Sequence, residues 1–263
     1  MMPGHDGRGA RADVAEGAQN GSFPVDPLHQ FEVQRLVTVN VGGLDLSFTN
    51  SALWMVISVA AITGFMMLAT SSRSLVPGRL QSISEILYEM IANMVRQNVG
   101  TEGRAYFPFI FSLFLFILFG NLLGMVPIGF TFTSHLVVTF FMAIVIFITV
   151  TIICFVRHGA GFLRLFFPEG APLWTAVILV PIELISYLSR PVSLSLRLFA
   201  NMMAGHLLMK VFAGFTLLMG LAGVVPLAAL VGITAYEFLV AVLQAYIFTI
   251  LTCVYLNDAI NLH

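Results

Sequence analysis

The stretch from Glu183 to Lys210, ELISYLSRPVSLSLRLFANMMAGHLLMK, holds ionisable side chains inside a segment otherwise apolar enough to sit in lipid. A charged side chain near the middle of a bilayer costs about 2.5 to 3.5 kcal/mol on insertion scales, so an arginine there is a functional signal. Arg197 is that residue. A guanidinium keeps its proton at any physiological pH, so Arg197 can hold a carboxylate ionised but cannot relay a proton. His206 and, in the last apolar run, Glu237 are the groups that can exchange one. At 100° per residue Glu183, Arg190 and Arg197 fall on one helical face, with Asn201 one turn further on. His206 lies nine residues after Arg197, about 180° round, and faces away from that stripe. Glu237 and Gln244, seven apart, again share a face. Glu183 is 14 residues from Arg197, roughly 21 Å of helical rise, and Glu237 is on another segment at unknown height. The counter-charge for Arg197 is therefore expected from another chain.

These residues need a scaffold of membrane helices, and the composition supplies one. The chain is 59% hydrophobic and 10% charged, with a mean hydropathy of +0.96. That is the make-up of a polytopic membrane protein, and the long uninterrupted apolar runs choose helices over a barrel. A net charge of −1 argues against nucleic-acid binding. Cys154 and Cys253 lie far apart in apolar runs and read as small buried hydrophobes.

Residues 1–22 are polar and Gly-rich, with no apolar core for a signal peptide, and read as part of a disordered or extended tail covering 1–26. The next piece, to Asn50, carries short apolar runs and a Gly-Gly break and is expected to lie against the membrane surface. The first span falls between Asp45 and Arg73, where no Asp, Glu, Lys or Arg occurs. In the stretch that follows, Leu80, Ile83, Leu87, Met90, Ile91 and Met94 recur at helical spacing opposite Glu85, Glu89, Asn93 and Arg96, an amphipathic interfacial helix. Ala105 to Val156, again uncharged, holds two spans with a turn around Pro127, Gly129 and Thr131 to Ser134. Asn121 and His135 in these spans read as hydrogen-bonding groups between helices.

The apolar run from Leu173 to about Met219 would make a straight helix of roughly 70 Å, over twice the hydrocarbon thickness. It either breaks near Arg190 and Pro191 or is one strongly oblique helix. The final run, from about Leu227 to Tyr255, completes a polar-lined hairpin. The expected fold is all-α: about five transmembrane helices plus one interfacial helix, with residues 27–263 one membrane domain. Arginines in the connections 71–104 and 157–172 place those loops in the cytoplasm, with the amino end outside and His263 inside. Arg190 and Lys210 are expected to snorkel to opposite interfaces.

The stretch SRPVSLSLRLFANMMAGH resembles the signature of subunit a of rotary ATP synthases. FGNLLGMVP from Phe119 to Pro127, PIEL around Glu183 and YEFLVAVLQAYIFTILTCVYLNDA near the carboxyl end support it, and PLHQFEV is similar to alphaproteobacterial members. The resemblance implies a stator beside a rotating ring of c subunits with membrane-embedded carboxylates, joined to b-type peripheral stalk subunits and the rest of the complex. It implies that Arg197 pairs with the deprotonated ring carboxylate and blocks leakage between two offset half-channels. His206 and Glu237 match the outer half-channel pair, which some bacterial members carry with the two types exchanged. Glu183 and, more weakly, Ser193 match the cytoplasmic half-channel, and Asn201 and Gln244 match polar residues near the arginine. It also implies an oblique final hairpin and residence in a bacterial inner membrane, with a mitochondrial inner membrane as the alternative.

No phosphate loop is present, so nucleotide chemistry belongs to other subunits, and no cofactor or metal is expected. His206 with Glu237, and the lack of a cation cage, favour proton over sodium coupling. The competing reading is a self-contained secondary transporter with an anionic-substrate site at Arg197, which predicts an internal repeat that the sequence does not display.

Overall fold

The computed structural model describes residues 33–37, 40–41, 44–45, 47–71, 77–126, 129–159 and 176–261. The tail 1–26, Arg73, Arg164 and His263 lie outside them. Among the described residues there are six α-helices: α1 (Asn50–Ser71), α2 (Arg79–Asn98), α3 (Phe107–Gly124), α4 (Leu136–His158), α5 (Ala176–Leu218) and α6 (Val224–Ile260). All except α2 are long and apolar enough to cross a membrane, α3 together with the short 3-10 turn Thr101–Tyr106 before it. Five spans and one amphipathic helix are what the sequence pattern called for.

The segment before α1 differs from a plain surface stretch. Four very short strands, β1 (Arg35–Val37), β2 (Asn40–Val41), β3 (Leu44–Asp45) and β4 (Phe48–Thr49), pair antiparallel as β1 with β4 and β2 with β3. β-branched residues in this stretch favour extended backbone. The ladder is tied to α1 at its cap: Asn50 Oδ1 accepts the backbone N–H of Gln34 at 3.2 Å, and Thr49 Oγ1 accepts that of Ala52 at 3.3 Å.

On α2 the polar face is exposed as expected, and Ile91, Met94 and Val95 pack into the protein. Leu80 and Ile83, assigned to the same apolar face, remain exposed. Only the carboxyl-terminal half of that stripe meets other helices. Tyr88 lies edge-on to Phe107 of α3, with ring centroids 4.8 Å apart.

The two alternatives for the long run resolve in favour of a single helix. α5 runs 43 residues without interruption through Pro181 and Pro191. Each proline removes one ladder bond, yet the helix continues, because packing along its length outweighs that loss. At 1.5 Å per residue it is roughly 65 Å long. It cannot stand upright within about 30 Å of hydrocarbon. α6, of 37 residues, returns alongside it. Three cross-links fix the antiparallel register: Arg190 to Asp258, Asn201 to Gln244, and Thr234 Oγ1 to Met209 Sδ at 3.7 Å. The reversal between them uses Gly220 at φ 55°, a backbone conformation that other residues rarely adopt.

The core lies where α3, α4, α5 and α6 meet. Phe114, Ile117 and Leu118 of α3, Ile146 and Val150 of α4, Leu194, Leu198 and Met202 of α5, and Phe248 and Leu256 of α6 form one buried cluster. Cys154 and Cys253 are free and buried within it, as read from sequence. The short turn Phe132–Ser134 folds back onto α3, and the Phe132 ring occupies the space above Gly120, where any Cβ would collide with it. Gly120→Val should therefore introduce about 1–3 kcal/mol of overpacking. The expected result is a lower melting temperature for the detergent-extracted protein, with Phe132→Ala in the same chain recovering part of it. An unchanged melting temperature in Gly120→Val would rule the contact out.

Candidate functional site

The polar residues of α5 and α6 occupy three successive levels of the hairpin. At the first, Arg190 Nη1 donates to Asp258 Oδ2 at 3.0 Å, and its guanidinium carbon lies 5.4 and 5.1 Å from the ring centroids of Tyr187 and Tyr255. The snorkelling expected of Arg190 is replaced by an ion pair boxed between two aromatic faces. Asp258 was not singled out in the sequence; its signal is an acidic residue in the last turn of an apolar helix. Tyr187 itself is hydrogen-bonded to Thr151 of α4, 2.7 Å between oxygens.

The second level holds Arg197 and the amides. Arg197 is exposed on the flank of α5, beside exposed Ser193 and Leu196. Among the described residues it has neither a hydrogen bond nor an ion pair; the ion pairs described are Arg190–Asp258 and the surface contact of Arg157 with Glu102. One turn on, Asn201 Nδ2 donates to Gln244 Oε1 at 2.9 Å. Gln244 is buried and its Nε2 has no partner. Behind it, Asn121 Nδ2 donates to the carbonyl of Ala241 at 3.1 Å, the inter-helix bond expected of this residue, while its Oδ1 is buried without a partner. Asn201 and Gln244 are thus joined to each other but not to Arg197.

At the third level His206 and Glu237 both point into the protein, at 6% and 1% exposure. They are not hydrogen-bonded to one another. His206 Nε2 meets Thr131 Oγ1 at 3.0 Å. Glu237 packs its carboxylate onto the backbone at Gly205, so closely that a Cβ there would overlap it, and its Oε1 is buried without a partner. Gly205 is the residue before His206, so the acid and the imidazole share one level of the hairpin. Thr131 is the residue that sequence reasoning missed. Its only signal is a hydroxyl-rich TFTS between two apolar runs. His135 stacks on Phe130 with centroids 5.0 Å apart, and burial pushes its imidazole below the ordinary range, favouring the neutral form.

Glu183 is half-buried and Ser193 exposed, and neither is brought into contact with Arg197 or with the third level. Among the described residues no group of three or more His, Cys, Asp or Glu side chains could hold a metal ion.

The model of the family described as "ATP synthase A chain" matches residues 52–257. The chain belongs to the ATP synthase A chain family. Curated relatives agree along nearly their full lengths. "ATP synthase subunit a" of Paramagnetospirillum magneticum is 60% identical over 245 residues, covering 90% of this chain and 99% of the relative. The protein of the same name from Rhodospirillum rubrum is 59% identical over 238 residues, with the same coverage. That of Parvibaculum lavamentivorans is 57% identical over 257 residues, covering 94% and 99%. The family, expected from the arginine-centred stretch, and the alphaproteobacterial likeness, expected from PLHQFEV, are borne out, and the self-contained transporter gives way. The chain is a proton-translocating subunit of the membrane sector of ATP synthase, a non-nucleotide-binding part of that complex, and a membrane protein of bacterial type.

The close fit of Glu237 onto Gly205 gives a direct test. A Cβ at Gly205 has to push the carboxylate out of its place, a cost of about 1–3 kcal/mol, which carried into a rate is about 5- to 150-fold. Gly205→Ala should lower ATP-driven proton pumping in membrane vesicles by that factor while the complex still assembles. Full activity in Gly205→Ala would show that the carboxylate need not occupy this place.

Proposed function

We propose that Arg197 is the fixed cation that meets the carboxylates of a rotating c ring, and that the surrounding residues carry protons to and from that ring. The observation behind this reading is an exposed guanidinium on the outer flank of a helix, in a chain of this family, with no acid paired to it among the described residues. A deprotonated ring carboxylate entering the membrane alone would have its pKa raised by desolvation and would take up a proton. Facing Arg197 it stays ionised, so the ring can turn past the stator with one site discharged. The same permanent charge repels a hydronium ion and separates the two water paths.

In this account His206 and Glu237 line the outer half-channel and Glu183 and Ser193 the cytoplasmic one. Asn201 and Gln244, tied to each other beside the arginine, orient its fork or the water around it. The transported ion is the proton, and the partners are the c ring, b-type peripheral stalk subunits and the rest of the complex. The chain sits in the bacterial inner membrane with its amino end outside and its carboxyl end in the cytoplasm, residues 27–263 forming one membrane domain.

Arg197→Ala in the assembled complex should abolish ATP-driven proton pumping and raise passive proton leak through the membrane sector. Coupled pumping that survives the substitution would overturn the assignment. Sodium-driven ATP synthesis at fixed pH would contradict proton coupling.

A further inference from the structure

We infer that Thr131, in the connection between α3 and α4, is a positioning residue that fixes the protonation pattern of His206 and leaves one ring nitrogen, Nδ1, to exchange protons. The inference rests on the reading of His206 as a proton carrier and adds to it which atom of the ring does the work.

A threonine hydroxyl has one proton to donate. Thr131 Oγ1 makes two contacts at 3.0 Å, one to the carbonyl oxygen of Gly124 and one to His206 Nε2. A carbonyl oxygen can only accept, so the hydroxyl proton points to Gly124. The second contact then requires His206 Nε2 to be the donor. Neutral imidazole carries a single N–H, so Nδ1 is bare, and it makes no hydrogen bond among the described residues.

The hydroxyl is held in place from several sides. The Thr131 carbonyl accepts the Ser134 hydroxyl at 2.6 Å and the Ser134 backbone N–H at 3.1 Å. The neighbouring Phe132 ring is locked over Gly120. Gly124 admits the threonine because it has no side chain: a Cβ there would stand 2.6 Å from Oγ1. Thr131 and His206 are both 6% exposed, so water does not readily replace either partner.

The proton step follows. A proton arriving from the outer side binds Nδ1, giving an imidazolium whose Nε2–H still donates to Thr131. The same proton then leaves from Nδ1, and the neutral Nε2–H form is restored. No proton passes through Thr131, because its hydroxyl ends on a peptide carbonyl, which is not a proton carrier at physiological pH. His206 is therefore a one-sided carrier. The charged groups nearest in the hairpin are Lys210, one turn along α5, and Glu237 of α6, which act on the exchange but leave the tautomer unchanged.

Two measurements on the intact complex decide it. In ¹⁵N-histidine-labelled complex, the solid-state NMR signal of neutral His206, identified as the one missing in His206→Gln, should report a protonated Nε2 and a bare Nδ1. The Nδ1–H tautomer would overturn the inference. In vesicles, Thr131→Val keeps the shape of the side chain but removes the acceptor, and should slow ATP-driven pumping by about tenfold, whereas Thr131→Ser should retain at least half the rate. Full activity in Thr131→Val, or equal loss in Thr131→Ser, would also overturn it. If Thr131→Val fails to assemble, the tautomer of the unaltered complex decides alone. The tautomer does not depend on Arg197, so a failure of the stator reading would show in Arg197→Ala and leave this result standing.

Discussion

Two arginines on one helical stripe, seven residues apart, meet opposite fates, and the rest of the site follows from that difference. Arg190 finds Asp258 across the hairpin and lies between two tyrosine rings. Among the described residues Arg197 has no hydrogen bond or ion pair. Interpolating between the Arg190–Asp258 and Asn201–Gln244 cross-links, the part of α6 opposite Arg197 is centred on Thr249. Thr249 spends its hydroxyl on the Ala245 carbonyl at 2.8 Å, and its two successors are apolar. The missing counter-ion is thus a property of the register between α5 and α6. A guanidinium cannot escape by losing its proton, and in a low-dielectric surrounding an unpaired charge is costly. None of the described residues supplies the neutralising group, and the proposed function assigns that role to a rotor carboxylate.

The buried polar atoms behind this flank are distributed in a telling way. Several hydroxyls in the spans are satisfied by their own helix: Ser58, Thr139, Thr249 and Thr252 each donate to a carbonyl one turn back. Among the described residues, Asn121 Oδ1, Gln244 Nε2 and Glu237 Oε1 are buried without a hydrogen bond between α3, α5 and α6. Each such group costs roughly 1–3 kcal/mol by mutational measures. Glycine makes the arrangement sterically feasible, Gly205 receiving the Glu237 carboxylate and Gly124 the Thr131 hydroxyl. Unsatisfied polarity kept at this expense is what a site that handles protons, rather than a packed core, is expected to retain.

The sequence made some of this legible and hid the rest for identifiable reasons. Spans and their number are properties of local composition, so hydropathy finds them. The arginine stripe is a property of helical period, so Arg197 and the opposite-facing His206 could be placed on the helix before any tertiary contact was known. Asp258 and Thr131 gain their meaning from groups on other elements, Arg190 across the hairpin and His206 across the bundle, and no single-helix periodicity encodes that pairing. Sequence leaves open whether α5 breaks near Arg190 and Pro191 because the loss of a ladder bond is local, whereas the packing against α6 and α4 that outweighs it is not. The strands before α1 were missed because runs of two or three residues fall below the length at which alternation stands out.

That continuity matters for the proposed mechanism. Glu183 and His206 are separated by 23 residues of one unbroken helix, roughly 35 Å of rise, which exceeds the thickness of the hydrocarbon layer. Arg197 lies between them, about 21 Å from the first and about 14 Å from the second along the axis. A helix broken at Pro191 could fold these groups toward each other and let a file of water join them. A rigid rod keeps them apart along its length, so under the proposed function a proton deposited near His206 is carried toward Glu183 by the ring that moves past both. On this view the length of α5 is itself the insulation between the two half-channels, and the arginine guards the one stretch where the rod faces the rotor.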